Sequence, residues 1–223
     1  MQQRKSKKIL IYFFLLFLVG SINNNNLNDL KFRDISNINI IGLDIKEKAI
    51  LLKNIKNLNL DNIFLINRNH LINELELNSL VEKYFIFKRY PSSININIEK
   101  TKFLAKINKN GKIFYLGSNG KLTKNNFSNS QLPFIFGNLD IIEFFSIKKI
   151  IDKSKISYAE IKNLYFFPSK RWDLELKNNT VIKLPHENTN LALKSAVEFL
   201  HKNEFKDNKI IDARIKNQII LND

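Results

Sequence analysis

The side chains that carry most enzyme chemistry are few in this sequence, and they lie far apart. The histidines are His70, His186 and His201. A single histidine at the end of an amphipathic helix, as His201 is predicted to be, more often contacts the helix C-terminus than a metal ion. The nearest carboxylate pairs, Glu74/Glu76 and Asp140/Glu143, lie in segments predicted as helix surface, which does not suit the paired acids of a glycosidase.

Nucleophile motifs and phosphate-binding loops are also missing from the sequence. The chain has no cysteine, which excludes a thiolate metal site, a disulfide and a cysteine nucleophile. No G-x-S-x-G motif occurs, and Gly111, Gly117 and Gly120 have the spacing of turns rather than of a phosphate loop. The sequence therefore predicts a protein that is not an enzyme and that uses no metal, no cofactor and no small-molecule substrate.

The N-terminus has the charge pattern of a membrane anchor. Four basic residues, ending at Lys8, precede the apolar run Ile9–Ile22, and no acidic residue occurs before Asp29. The positive-inside rule then predicts a cytoplasmic tail of residues 1–8, an anchor and linker over residues 9–30, and export of the rest. The run is shorter than the roughly 20 residues of a typical span, so a signal peptide cleaved near Gly20-Ser21 is the alternative.

A formal net charge of +15 raises the question of nucleic-acid binding. The basic residues form no block interleaved with aromatic residues, and an exported protein meets little DNA. A solvated basic surface near anionic lipid head groups is the simpler interpretation. The chain is predicted to bind no nucleic acid.

Residues 32–101 have the pattern of a small β-α-α-β-β module. Strand-like Ile35–Ile41 precedes a helix that Asp44 caps and that runs to about Asn57. A second helix is predicted over Asn67–Leu77 and a strand over Val81–Tyr90. In Ser93–Glu99 three isoleucines alternate with polar residues, which predicts a sheet with one wet face.

Residues 102–223 predict a second, mostly antiparallel β domain with flanking helices, so the fold class is α+β. Asn110-Gly111 separates two strand-like runs and suits a type I′ hairpin turn. The other predicted elements are a helix over Asp140–Lys153, a strand over Ile156–Phe167, a hairpin of Trp172–Leu176 and Val181–Leu184, a helix over Asn188–His201, and a final strand or strand pair over Lys209–Leu221.

Several short motifs, in order along about 180 residues, give the chain a resemblance to a known family. They are Ile38–Gly42, Phe64–Asn67, Arg89-Tyr90-Pro91 with Glu99, Pro133 with Gly137, Arg171–Leu176 followed by Lys183-Leu184-Pro185, and Asp212-x-Arg214. In this order they resemble the bacterial cell division family FtsQ/DivIB. Lys100, Lys102 and Asn179 depart from that pattern, although asparagine tolerates the left-handed conformation that a hairpin turn requires.

The resemblance implies a fold and a function. It implies that residues 32–101 form a POTRA domain and that the protein is a single-pass inner-membrane scaffold at the division septum. That scaffold would link partners of the FtsB and FtsL type and help to control peptidoglycan synthesis. The alternative is a POTRA-bearing periplasmic chaperone or secretion component, which is less consistent with a single POTRA domain and no following membrane β-barrel.

The partner site is predicted at the end of the chain. Ile211, Ala213 and Ile215 alternate with Asp212 and Arg214, so the former are expected in the core and the latter outside. A last strand often lies at a sheet edge, where a partner can add a strand, and the resemblance implies this use. Trp172 is either a core residue or, with Arg171, the border of the partner surface. The predicted partner-binding residues are Arg171, Trp172, Ile211, Asp212, Arg214, Ile215, Gln218 and Ile219.

Overall fold

A computed structural model describes residues 3–22, 34–58, 60, 62–64, 66–124, 131–201, 210–216 and 218–222. The predicted polar linker after the N-terminal run, at residues 23–30, lies outside the described residues, as does Lys209. The chain forms two compact units, one of Met1–Leu71 with Ile86–Ile96 and one of Ile72–Phe85 with Asn97–Asp223. The predicted boundary near residue 101 stays a prediction.

The N-terminal apolar run is helical. Helix α1 spans Gln3–Ile22, and its side chains from Ile9 to Val19 are exposed. Among the described residues, no helix combines the length and apolar character that crossing a membrane requires. The membrane anchor therefore stays a prediction.

The elements that follow confirm the predicted β-α-α-β-β order. They are β1 (Asn37–Ile41), α2 (Ile45–Lys56), α3 (Arg68–Leu77), β2 (Val81–Arg89) and β3 (Ser93–Lys100), and the strands form a sheet in the order β1-β3-β2. Glu47 accepts a hydrogen bond of 3.2 Å from the backbone N–H of Asp44, which fixes the start of α2. Ile94, Ile96 and Ile98 of β3 are buried, as their alternation predicts.

The second unit contains a nine-stranded sheet with two helices. Its elements are β4 (Phe103–Lys109), β5 (Lys112–Gly117), β6 (Leu122–Thr123), β7 (Phe134–Phe136), α4 (Ile141–Lys153), β8 (Ile161–Phe166), β9 (Trp172–Leu176), β10 (Val181–Lys183), α5 (Thr189–Leu200), β11 (Ile210–Asp212) and β12 (Ile220–Asn222). The strand order is β12-β11-β10-β9-β8-β7-β4-β5-β6. Five neighbouring pairs are antiparallel and three (β4/β7, β7/β8 and β10/β11) are parallel, so the sheet is mixed but mostly antiparallel.

The core of this unit lies on one face of the sheet. One row of paired residues crosses β7, β8, β9, β10 and β11, and all of them are buried: Ile135, Leu164, Leu174, Ile182 and Ile211. The apolar residues of α4 and α5, including Phe144, Ile147, Leu193 and Val197, belong to the same buried cluster. Because side chains alternate along a strand, the neighbouring rows point to the other face of the sheet.

The sequence predicts one hairpin turn correctly and places the start of one strand too early. Asn110 and Gly111 both have positive φ (54° and 74°), which confirms the predicted hairpin turn. The predicted strand over Ile156–Phe167 is confirmed at Ile161–Phe166 (β8), but its first part is wrong, because a 3₁₀ turn, Tyr158–Glu160, precedes β8. The Ser157 hydroxyl accepts a hydrogen bond from the backbone N–H of Ala159 (3.3 Å), and this cap stabilises the turn in place of a strand.

Candidate partner-binding surface

The strand order places β12, not β11, at one edge of the nine-stranded sheet, with β6 at the other edge. Strand β11 lies between β10, to which it is parallel, and β12, to which it is antiparallel. The predicted final strand is therefore a strand pair, and its second member forms the edge. Ile220 of β12 is 38% exposed, and Leu221 packs against the core.

The predicted core residues of this segment divide into two groups. Ile211 and Ala213 are buried, as predicted. The prediction that Ile215 faces the core is wrong, because its side chain is 53% exposed. The chain turns after β11, where the N–H of Gln218 donates to the carbonyl of Ile215 (3.2 Å), so the strand alternation ends before Ile215. Gln218 is exposed, and Ile219 is partly buried against the core.

Asp212 and Arg214 form a tight ion pair beside the edge. Arg214 Nη2 lies 2.5 Å from Asp212 Oδ2, and Arg214 Nε donates to Oδ1 of the same carboxylate at 2.8 Å. These hydrogen bonds lower the pKa of Asp212 and raise the pKa of Arg214. The pair is on the outside of the core, as predicted, and the guanidinium is held in a fixed position by two-point contact.

Trp172 is a core residue. Its side chain is 3% exposed, and its ring centroid lies 4.6 Å from that of Phe166. The indole Nε1 is buried and makes no hydrogen bond with the described residues. The core interpretation is therefore confirmed, and Trp172 does not border the surface through its own side chain.

Arg171, in contrast, lies partly at the surface. Its side chain is 29% exposed, its Nε lies 3.8 Å from Asp173 Oδ1, and its Cζ lies 4.1 Å from the centre of the Phe167 ring. The guanidinium is thus placed between an aromatic ring and a carboxylate. Cation–π and ionic attraction act on the same group from two directions.

A row of charged residues crosses the sheet toward the edge. The strand register pairs Tyr165 with Asp173, Asp173 with Lys183, and Lys183 with Asp212. Asp212 in turn pairs with Ile220 of β12. Burial raises the pKa of Asp173, and the nearby charge of Arg171 opposes that rise. Asp173, Lys183 and Asp212 therefore alternate in charge along this row, with Asp173 buried.

The neighbouring row contains a second polar cluster, which the sequence analysis did not identify. Glu175 accepts hydrogen bonds from Tyr165 Oη (2.6 Å), Asn163 Nδ2 (2.9 Å) and Lys162 Nζ (2.8 Å). The hydrogen bonds from Asn163, Lys162 and Tyr165 lower the pKa of Glu175 to about 2. The one signal in the sequence is that Asp173 and Glu175 alternate with apolar residues, which places both carboxylates on one face.

The potential metal ligands and the histidines lie apart in the described part of the chain. No group of three or more His, Cys, Asp or Glu residues there could hold a metal ion. His186 Nδ1 lies 3.1 Å from the carbonyl of Lys170, and His201 Nδ1 lies 2.7 Å from the carbonyl of Val197 near the end of α5. Both rings contact backbone carbonyls. The feature that the geometry offers is the sheet edge at β12 beside charged side chains.

Comparisons with known proteins point to one family. Residues 98–214 match the family described as cell division protein FtsQ/DivIB, C-terminal. The cell division protein FtsQ of Rickettsia typhi is 26% identical over 193 residues, which cover 84% of this chain and 71% of that protein. FtsQ of Rickettsia bellii is 25% identical over 190 residues, with the same two coverages.

Among the solved structures that are similar to the chain is a bacterial DivIB domain. It is the major extracytoplasmic domain of the trans isomer of the bacterial cell division protein DivIB from Geobacillus stearothermophilus. The identity is 13% and the TM-score is 0.32, over 47% of this chain and 89% of the other.

Proposed function

Because the chain belongs to the FtsQ/DivIB family of cell division proteins, we propose that it is a non-enzymatic scaffold of the septal division machinery. In this proposal it tethers partner membrane proteins of the FtsB and FtsL type and helps to control septal peptidoglycan synthesis. The observation that supports it is the position of β12 at an edge of the sheet, among the described strands, beside the charged row that ends at Asp212.

The proposed location is the inner membrane, with the N-terminus in the cytoplasm. Helix α1 would be the anchor, since four basic residues precede its exposed apolar stretch Ile9–Val19. The three-stranded module would then be a POTRA domain on the outer side, followed by the nine-stranded domain. The β-α-α-β-β order of the module supports this assignment.

The proposed docking mode is strand addition at β12. An edge strand exposes backbone donors and acceptors that an incoming extended segment can pair with. Arg171 and Arg214 would supply charge complementarity to an acidic partner segment, which affects association rate and specificity more than affinity. Ile220, half-exposed on the same side as Asp212, would contact an apolar side chain of the partner.

Site-specific photo-crosslinking in dividing cells tests this proposal. A photoreactive amino acid is placed at Ile220 in the full-length chain, and crosslinked partners are identified by mass spectrometry. The matched control carries the probe at Ile142, which is 79% exposed on α4. We expect small single-pass division proteins from Ile220 and not from Ile142. Crosslinks to such proteins from Ile142 alone would place the docking site elsewhere.

A further inference from the structure

Asp173 is a buried carboxylate that strand pairing does not require. Its side chain is 8% exposed, and its Oδ1 accepts no hydrogen bond from any described residue. The residues on either side of it, Trp172 and Leu174, fill the core, whereas Asp173 points to the opposite face. A neutral side chain at this position would pair within the sheet equally well.

Charged and titratable groups from all adjacent strands surround this carboxylate. Tyr165 on β8 and Lys183 on β10 are its register partners, and Arg171 lies immediately before the start of β9. The charges of Arg171, Lys183 and Arg214 favour its ionised form, and that of Asp212 disfavours it. Glu175, two residues further along β9, is hydrogen-bonded to Lys162, Asn163 and Tyr165 instead.

The buried charge acts against stability. Burial is the largest influence on Asp173 and raises its pKa above the usual value. For an acid with a raised pKa in the folded state, the stabilising contribution exists at low pH and is lost as the pH rises through that pKa. The ionised side chain therefore costs folding stability, and such costly charges concentrate at functional sites.

We propose that Asp173 is a positioning residue for partner binding: its carboxylate holds Arg171 against Phe167 and, across Lys183, supports the Asp212–Arg214 pair. This inference rests on the proposed function. Arg171 Nε lies 3.8 Å from Asp173 Oδ1, which is an ionic contact rather than a hydrogen bond, and this Nε donates no hydrogen bond to any described residue. In this proposal the charge of Asp173 attracts the Nε side of the guanidinium, and the partly exposed Arg171 side chain offers its Nη groups to a partner carboxylate.

The first arm of the test observes Arg171 directly and needs no partner. The full-length chain contains 6 arginines, so selective ¹⁵Nε labelling of arginine in detergent micelles gives few signals. We expect the Arg171 Nε–H signal to shift as the pH falls through the raised pKa of Asp173. Asp173→Asn should abolish this shift and speed exchange of the Nε proton, and Asp173→Glu should restore it.

A matched control is available on the same strand and the same face. Glu175→Gln removes a carboxylate that does not contact Arg171, so the pH-dependent Arg171 signal should persist. An Arg171 signal that is identical in the wild type and in Asp173→Asn would overturn the proposal, as would a signal abolished equally by Glu175→Gln.

The second arm asks whether the position of Arg171 matters for the partner. With the photoreactive probe at Ile220, Asp173→Asn and Arg171→Ala should each reduce the crosslink yield about fivefold, and the double variant should reduce it no further. Two results would show that Asp173 does not act through Arg171. In one, the crosslink yield of the double variant falls by the product of the two single losses; in the other, Asp173→Asn leaves the crosslink yield unchanged. If the wild type gives no crosslink from Ile220, the proposed docking edge at β12 is wrong. The Arg171 Nε–H signals of the first arm then decide by themselves whether Asp173 holds Arg171.

Discussion

The side-chain amide of Asn119 donates a hydrogen bond to the backbone carbonyl of Val81, with an N···O distance of 2.9 Å. The same amide donates to the carbonyl of Ser79 (3.0 Å), and its oxygen accepts from the N–H of Lys121 (3.0 Å). The turn between β5 and β6 is thereby tied to the start of β2. Both segments belong to the second unit.

The first prediction concerns Gly117, which lies next to the Asn119 side chain. A Cβ at this position would lie 2.6 Å from Asn119 Oδ1 and 2.7 Å from Thr101 Oγ1. Gly117→Ala should therefore displace Asn119 and destabilise the protein by about 1–3 kcal/mol. Urea denaturation measures this change. In the Asn119→Ala background the effect of Gly117→Ala should be smaller, and full additivity of the two changes would contradict the explanation.

The second prediction compares two glycines with positive φ. Gly137 has φ of 104°, and a Cβ there would collide with the backbone carbonyl oxygen of Phe166, which cannot move without disturbing β8. Gly111 has φ of 74°, but a Cβ there would meet no atom within 4 Å. We expect Gly137→Ala to cost about 3 kcal/mol or more and Gly111→Ala about 1 kcal/mol. Equal losses of thermal stability would contradict this assignment.

The third prediction concerns acid stability. The pKa of Glu175 is lowered to about 2, mainly by hydrogen bonds from Asn163, Lys162 and Tyr165. For an acid with a lowered pKa in the folded state, the stabilising contribution is present above the unfolded pKa and is lost as the pH falls through the folded pKa. Glu175→Gln should therefore cost about 1.5–3 kcal/mol near neutral pH. The difference from the wild type should shrink between about pH 4.5 and pH 2.

Denaturant titrations of the two proteins at several pH values measure that difference. Lys162→Met, which removes one donor and keeps an apolar stem, is the matched variant and should show a smaller loss in the same direction. A difference between wild type and Glu175→Gln that does not change with pH would exclude the proposed ionic contribution.

The features that follow local rules were predictable from sequence. The Asn110-Gly111 turn depends on two residues that tolerate positive φ, and the burial of Ile94, Ile96 and Ile98 follows from their alternation. The alternation of apolar and polar residues also predicts β9 at its full length, Trp172–Leu176. No long-range contact is needed to explain these elements.

The polar surface depends on pairings that a linear sequence does not display. Asp212 lies beside Lys183 only because β10 and β11 run parallel, with the helix α5 between them in the chain. Glu175 meets Tyr165 and Asn163 only through the β8–β9 register. Ile215 was misplaced because the turn after β11 interrupts an alternation that the sequence alone would continue.

The fourth prediction concerns the proposed membrane topology. Alkaline phosphatase fused after Lys31 or after Asp223 should be active, because that enzyme requires export, whereas fluorescent reporters that fold only in the cytoplasm should be inactive at both positions. The charge pattern before Ile9 is the reason. Replacing Lys7 and Lys8 by glutamate should reduce the activity of both fusions. A mature protein that begins near Ser21 would show cleavage rather than anchoring.

The last prediction tests strand addition at β12 through proline substitutions. In an antiparallel pair, alternate residues direct their N–H groups toward the neighbouring strand and away from it. Ile220 and Leu221 are adjacent in β12 and therefore have opposite orientations. Proline removes one backbone donor, so Ile220→Pro and Leu221→Pro should differ: one weakens the β11–β12 pairing and the other removes a donor that only a partner uses. Alanine substitutions at both positions separate the loss of the side chain from the loss of the donor.

Thermal unfolding of the full-length chain identifies which proline variant leaves the domain intact. That variant should lose at least about tenfold in partner capture, equivalent to about 1.4 kcal/mol. The matching alanine variant should retain most of it. Gln218→Pro is a poor probe of the edge, because the N–H of Gln218 already donates to the carbonyl of Ile215 within the turn. A proline variant of β12 that melts like the wild type and still captures the partner fully would exclude strand addition at this edge. The charged surface around Arg171 would then be the next docking site to test.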